Sequence, residues 1–243
     1  MADTKELERG GGPAIARGKG SRGRRWWFIA AGFGAALPVI AVLAFAIFQP
    51  VQVIPRLGLA PGFTLVDHTG DRLTSEDLRG TVTLYTFGYT GCGARCAGAD
   101  SLFQELRERL AEAEPGGVPI RLVTVSFDPE RDSPEVLAAV AEARGANPAE
   151  WTFATGEPSM LKNMIGGGFG VYYAPDDAGG FVFDPAVVLV DGLGIVRAEY
   201  RVGTPDADDL LRDLRLVTKE ARVEDGLGRL AYEAAHLFAC YPK

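Results

Sequence analysis

Val82-Thr83-Leu84-Tyr85-Thr86-Phe87-Gly88-Tyr89-Thr90-Gly91-Cys92-Gly93-Ala94-Arg95-Cys96 is the stretch on which the reading of this chain turns. Val82 to Phe87 is a run of apolar and β-branched residues, the pattern of a buried strand. Leu102, Phe103, Leu106 and Leu110 follow at three- and four-residue spacing, the period of a helix. Two thiols therefore stand where a buried strand turns into a helix. A helix N-terminus favours thiolate over thiol. Placed on one α-helix, Cys92 and Cys96 would have Cα atoms ~6.2 Å apart. That is inside the disulfide window, near its upper end of ~6.8 Å. Such a pair closes to a reducible disulfide, or opens to hold one soft metal ion between two sulfurs. A purely structural bridge explains it less well, because closing so short a loop removes little chain entropy.

The compartment agrees with a redox or metal role. Trp26 to Phe48 carries no charge and is almost wholly apolar or glycine. As a helix it is about 34 Å long, enough for a ~30 Å hydrocarbon core, and longer than the ~7–15 apolar residues of a cleaved signal. Residues 1–25 hold seven Lys/Arg and three Asp/Glu, a net +4 that leaves −11 on the rest of a chain of net charge −7. Arg22, Arg24 and Arg25 crowd the N-terminal flank, and nothing basic follows the span until Arg56. The positive-inside rule then leaves the tail in the cytoplasm and puts residue 49 onward outside, on a single-pass anchor. The tail is Gly- and Arg-rich without apolar period and reads as disordered. The exported part is acidic and has no basic stripe, which argues against nucleic-acid binding.

Residues 49–60 read as a linker, 61–218 as one domain and 219–243 as a C-terminal helical extension. Within the domain, strand and helix signals alternate. Phe63–Val66 and Asp67–Thr74 read as a hairpin, Val82–Phe87 and Ile120–Ser126 as buried strands, and Trp151–Ala154 as a short strand. Helices are predicted from about Cys96 to Ala113, from Pro134, over Ser159–Ile165 with Gly166-Gly167-Gly168 as a stop, and over Asp206–Leu216. Val187–Val190 and Ile195–Tyr200 flank a turn and read as a second hairpin. Strands alternating with helices, closed by a hairpin and a helix, predict an α/β thioredoxin-like sandwich with an N-terminal transmembrane helix and a C-terminal helical extension.

Three motifs carry a family resemblance: Phe87-Gly-Tyr-Thr-x-Cys-x-x-x-Cys96, Ser126-Phe-Asp-Pro-Glu-Arg-Asp-Ser-Pro134, and Trp151-Thr-Phe-Ala-Thr-Gly156 with Phe169-Gly-Val-Tyr-Tyr173. Together they resemble the Sco (SenC) proteins, membrane-anchored thioredoxin-like proteins of the respiratory chain. The resemblance implies assembly of the dinuclear copper centre of cytochrome c oxidase, by delivering copper, by reducing the cysteines of the recipient subunit, or both. It implies Cys92 and Cys96 as the thiolate pair, Asp128 near them, copper, and the copper-centre subunit of the oxidase as partner; two thiolates by themselves suit that copper as Cu(I).

The departures matter as much. Sco proteins bind copper with a third ligand, a histidine shortly before the last hairpin. Counting back without gaps from Gly194 places that position at Phe183, and residues 179–190 contain no histidine. Pro185 lies six residues before Asp191. Thioredoxin-like redox proteins carry there a cis-proline facing their cysteines; the alternative is a proline starting an edge strand. His68 reads as an ordinary turn residue. In the extension, Leu227, Leu230, Ala231, Ala234, Leu237, Phe238 and Tyr241 form an apolar stripe, with His236 and Cys240 together on the opposite face as candidate soft-metal ligands. A metal-free extracytoplasmic thiol–disulfide oxidoreductase therefore stands beside the copper-centre assembly factor. A peroxidase fits less well: the family's threonine precedes its cysteine by two intervening residues, and Thr90 precedes Cys92 by one.

Overall fold

The strand predicted from Val82 is the middle of an eight-stranded sheet. All of β4 (Val82–Gly88) is buried. It pairs in parallel with β5 (Ile120–Ser126), and β5 in parallel with β6 (Trp151–Thr155). On its other side it runs antiparallel to β9 (Val187–Val190), which makes the predicted hairpin with β10 (Ile195–Tyr200). The short β1 (Gly58–Leu59) closes one edge against β10, and the hairpin β2 (Thr64–Asp67) and β3 (Arg72–Thr74) closes the other against β6. In this computed structural model the described residues are Trp26, Ala36, Ile40, Leu43, 52–113, 116–201, 205–223 and 226–238. Pro50–Lys243 forms a unit separate from Met1–Gln49. Nearly all of the segment predicted as an anchor, Trp26–Phe48, the tail before it, and Cys240 lie outside the described residues. Among the described residues no helix is long and apolar enough to cross a membrane.

Alternation along the strands builds a core on each face of the sheet, because successive side chains point to opposite sides. Val82, Leu84 and Leu122 pack with Leu102, Phe103 and Leu106 of α1 (Ala94–Arg109), Leu137 of α2 (Pro134–Ala143) and Leu210, Leu214 and Val217 of α4 (Ala207–Ala221). Tyr85, Phe87, Val123 and Val125 pack on the other face with Leu161 of α3 (Pro158–Leu161), Met164, Ile165 and Phe169. This is the predicted sandwich, with three local differences. The glycines expected to stop a helix lie instead inside a π-helical segment, Lys162–Gly168, closed by Phe169 N–H donating to the Met164 carbonyl at 2.9 Å. The wide turn carries Phe169 into the core, where it is 1% exposed. The helix expected to end at Leu216 continues to Ala221, because Val217 and Thr218 are buried too. A hairpin that the sequence reading passed over, β7 (Tyr173–Pro175) with β8 (Phe181–Phe183), stands apart from the main sheet.

The C-terminal extension is helical, α5 (Leu227–Phe238), but it docks by a face other than its leucine stripe. Tyr232 and Ala235 are buried, while Leu230 and Leu237 are exposed. His236, expected on the free face, is turned inward and pairs with Glu220 of α4 at 2.8 Å.

Candidate functional site

The chain leaves β4 at Gly88, makes a 3₁₀ turn over Thr90–Cys92, and enters α1 at Ala94. Gly93 stands between the two helical pieces at φ 54° and ψ −127°, a left-handed conformation that costs glycine little and other residues more. Cys92 and Cys96 are thus not on one helix. The kink brings their Cα atoms to 5.7 Å, and the pair is joined as a disulfide. Cys96 is the third residue of α1, within the turn whose backbone N–H groups lack helical partners and stabilise negative charge. Its sulfur lies on the bare face of Gly88: a Cβ there would meet Cys96 Sγ at 2.7 Å and Cys92 Sγ at 3.8 Å.

Behind the disulfide is a small cavity of ≈ 130 Å³ lined in part by both cysteines, Thr124, Ser126, Asp132 and Arg144. Asp132 is fully buried and accepts hydrogen bonds from Thr90 N–H (2.9 Å), from the Thr90 hydroxyl and from the Ser126 hydroxyl. This carboxylate stitches the cysteine loop to the end of β5. The resemblance puts Asp128 near the pair, but Asp128 does not line this cavity; its carboxylate takes Arg131, three residues on. Asp132 is the acid bonded to the loop, and the sequence reading did not single it out. Three donors converge on it, so Asp132→Asn replaces an acceptor with an amide N–H₂ that faces donors. The expected loss is about 1–3 kcal/mol of stability, read as a lower denaturation midpoint, together with a changed exchange rate of the cysteine pair.

The β7–β8 hairpin forms the neighbouring wall. Arg95 donates to the Phe181 carbonyl, Phe181 N–H to the Tyr89 hydroxyl at 3.3 Å, and Arg131 to the Gly179 carbonyl at 2.7 Å. The Arg131 guanidinium also lies 5.9 Å from the centre of the Tyr89 ring and 6.0 Å from that of Phe181, a cation–π geometry. Phe183 is 8% exposed, with ring centroids at 5.2 Å from Phe127 and 6.3 Å from Tyr89. Cys92 and Cys96 pack on the apolar cluster that contains it. The position to which the resemblance assigns a histidine is therefore a packed aromatic ring.

The other candidates are elsewhere. Pro185 is exposed in the link between β8 and β9 and does not line the cavity behind the disulfide. There is no cis peptide among the described residues, which corrects the cis reading of Pro185; nor does Pro185 start an edge strand, since it lies two residues before β9, a strand internal to the sheet. His68 is buried, and its Nδ1 accepts from Phe153 N–H at 3.2 Å; it locks the β2–β3 turn to β6. His236 belongs to the Glu220 pair on the α4–α5 side. Among the described residues no group of three or more His, Cys, Asp or Glu side chains could hold a metal ion. The site therefore offers two sulfurs, an aromatic wall and a buried carboxylate that holds the loop.

Comparison with known proteins fits this geometry. The human mitochondrial protein SCO2 homolog is 40% identical over 77 residues, 31% of this chain and 28% of that protein. The stretch shared with that relative is thus under a third of its length. The fold matches Arabidopsis thaliana ScoI with copper bound, at a TM-score of 0.57 and 23% identity over 67% of this chain and 99% of that one. It also matches BsSco, described with a disulfide switch and as a member of the Sco family of cytochrome c oxidase assembly proteins, at 0.59 and 23% over 69% and 98%. Both likenesses place the sandwich among thioredoxin-like Sco folds. The SCO1/SenC family model matches residues 54–219, through both cysteines and Phe183. The chain belongs to the SCO1/SenC family.

Proposed function

We propose that this protein is a membrane-anchored assembly factor for the copper centre of cytochrome c oxidase, and that its cysteine pair works chiefly on thiols. Trp26–Phe48 is the anchor and the domain lies outside the cytoplasmic membrane. The observation that carries the reading is Phe183: where a third copper ligand belongs, a buried ring packs with Tyr89 and Phe127. Two thiolates suit Cu(I), a soft ion that tolerates low coordination, and leave Cu(II) without a nitrogen. Copper is then a cargo held as Cu(I) between Cys92 and Cys96. The same observation favours a second reading, a metal-free thiol–disulfide oxidoreductase.

The thiol step starts from the reduced pair. The Cys92 thiolate attacks one sulfur of a recipient disulfide, forming a mixed disulfide and releasing the other recipient sulfur as thiolate. The Cys96 thiolate then attacks Cys92 Sγ. The second recipient thiol leaves, and the Cys92–Cys96 disulfide holds the two-electron oxidation. Cys92 is assigned the attack because Cys96 Sγ is the sulfur pressed closer to Gly88. The N-terminal turn of α1 stabilises the thiolate that forms.

In Cys96→Ser the second step is blocked. Mixed disulfides through Cys92 are expected to accumulate with a disulfide-bonded recipient peptide, and Cys92→Ser is expected to trap none. Mass spectrometry of the adducts decides. Equal trapping by both variants would overturn the assignment. Cu(I) stoichiometry of the reduced protein separates the two readings: one Cu(I) per pair supports the copper carrier, and none, with fast exchange, selects the oxidoreductase.

A further inference from the structure

The leucines of α5 point away from the domain that carries them. Leu230 and Leu237 are seven residues apart, on one line along the helix, and are 66% and 77% exposed. Ion pairs, one of them largely buried, tie the helix to the domain in this orientation. His236 Nε2 meets Glu220 Oε1 at 2.8 Å, and Arg56 meets Glu220 at 3.0 Å and Glu233 at 3.2 Å. Glu220 also takes the buried Arg197 at 2.6 Å. Burial pushes the pKa of the Glu220 carboxyl up, but the hydrogen bond and charge of Arg197, helped by His236, outweigh it. The group sits below the ordinary carboxylate range and stays charged.

The same ties place α5 at the point where the chain enters the domain. Val53 and Ile54 are each 1% exposed, three and two residues before Arg56. Only residues 49–52 separate the end of the apolar segment, Phe48, from Val53. Fully extended, those five Cα steps reach ~18 Å. Leu57, Leu59 and Leu193 are exposed at this end as well. Leu57 follows Arg56, Leu59 pairs with Ile195, and Leu193 lines one cavity with Arg56, Tyr232 and Glu233. With Leu230 and Leu237 they make up five of the nine large apolar side chains exposed among the described residues from 52 to 238. An apolar grouping of this kind marks an interaction surface.

We infer that its occupant is the lipid surface: the Leu230–Leu237 line of α5, flanked by Leu57, Leu59 and Leu193, seats in the interfacial layer of the bilayer and gives the domain a second attachment beside its tether. The short reach from Phe48 selects lipid over a free partner. The inference rests on reading Trp26–Phe48 as a membrane anchor.

The test uses the full chain in vesicles of phosphatidylethanolamine and phosphatidylglycerol whose acyl chains carry bromine, a contact quencher of indole. Trp151, fully buried in the core, is the unquenched reference. In the unaltered chain, quenching of Trp26 and Trp27 reports the anchor. In Trp26→Phe/Trp27→Phe/Leu237→Trp the indole at 237 is expected to lose about half or more of its emission, since an interfacial helix face lies ~5–10 Å into the headgroup–acyl boundary. Leu237 is exposed, so its replacement leaves the core untouched. A quenched unaltered chain with an unquenched indole at 237 overturns the ridge and leaves the anchor standing. An unquenched but blue-shifted indole at 237 means that protein, such as a second copy, covers the helix, which also overturns the lipid assignment. An unquenched unaltered chain removes the anchor and the inference with it.

Discussion

Phe183→His is expected to give a protein that retains Cu(II), where the unaltered chain sheds it. Phe183 belongs to the apolar cluster on which both cysteines pack, and it is the position to which the resemblance assigns the ligand nitrogen. Two sulfurs and a nitrogen suit Cu(II) as two sulfurs alone do not. The gain in Cu(II) affinity is expected to be at least roughly tenfold, equivalent to ~1.4 kcal/mol. The ring's edge contacts with Phe127 and Tyr89 are lost, at a stability cost of about 1–3 kcal/mol. Copper per chain after Cu(II) loading and desalting gives the answer, and the visible absorption of a copper–thiolate bond identifies the ligands. Tight one-to-one Cu(II) binding by the unaltered protein would falsify the two-sulfur picture. If that binding then vanished with His236→Ala and Cys240→Ser, the C-terminal extension would be its source. The pairing of His236 with Glu220 argues against that outcome.

The second large effect is expected from Gly88→Ala. The added methyl would sit 2.7 Å from Cys96 Sγ, closer than a carbon and a sulfur can approach, in a strand buried over its whole length. In the disulfide Cys96 Sγ is held by Cys92 and cannot swing aside. In the dithiol the Cys96 side chain is free to change rotamer. The substitution therefore destabilises the oxidised form more than the reduced one. Overpacking of this kind costs about 1–3 kcal/mol. On the two-electron scale that makes the pair about 20–65 mV more oxidising. Equilibration with a glutathione buffer reads the shift. An unchanged or more reducing potential would show that the backbone at Gly88 yields instead. Asp132→Asn, which loosens the loop from the other side, serves as a comparison in the same assay.

Much of the site was legible because it is local. The thiols at a strand-to-helix turn follow from one apolar run and one helical period, and the structure places both there. The Gly93 kink was not legible from spacing, since a glycine between two cysteines is compatible with an unbroken helix. Asp132 was passed over because its partners, Thr90 and Ser126, are 42 and six residues away in sequence and meet only through the parallel pairing of β4 and β5. The β7–β8 hairpin was missed because its strands are three residues each, too short for a period of two to register. Aromatic packing, the bonds donated by Arg95 and Arg131, and the Phe181 N–H donated to the Tyr89 hydroxyl hold it in place.

The sequence by itself determined the layer order of the sandwich, the cysteine pair at the end of β4 and the absence of any histidine from residues 179–190. The first two depend on residue type and on periods of two or 3.6 read within a few turns of chain; the third is residue identity alone. Only the tertiary structure decided that Phe183 is a packed wall, that Asp132 rather than Asp128 is bonded to the cysteine loop, and that α5 docks by Tyr232 and Ala235 with its leucines outward. The last depends on Arg56 meeting Glu233 across 177 residues and on His236 meeting Glu220. A helix's own pattern shows which side is apolar. Which side is covered depends on the charges and shapes of elements far away in the chain: Tyr232 and Ala235 are buried and His236 pairs with Glu220 of α4, while the leucines face outward.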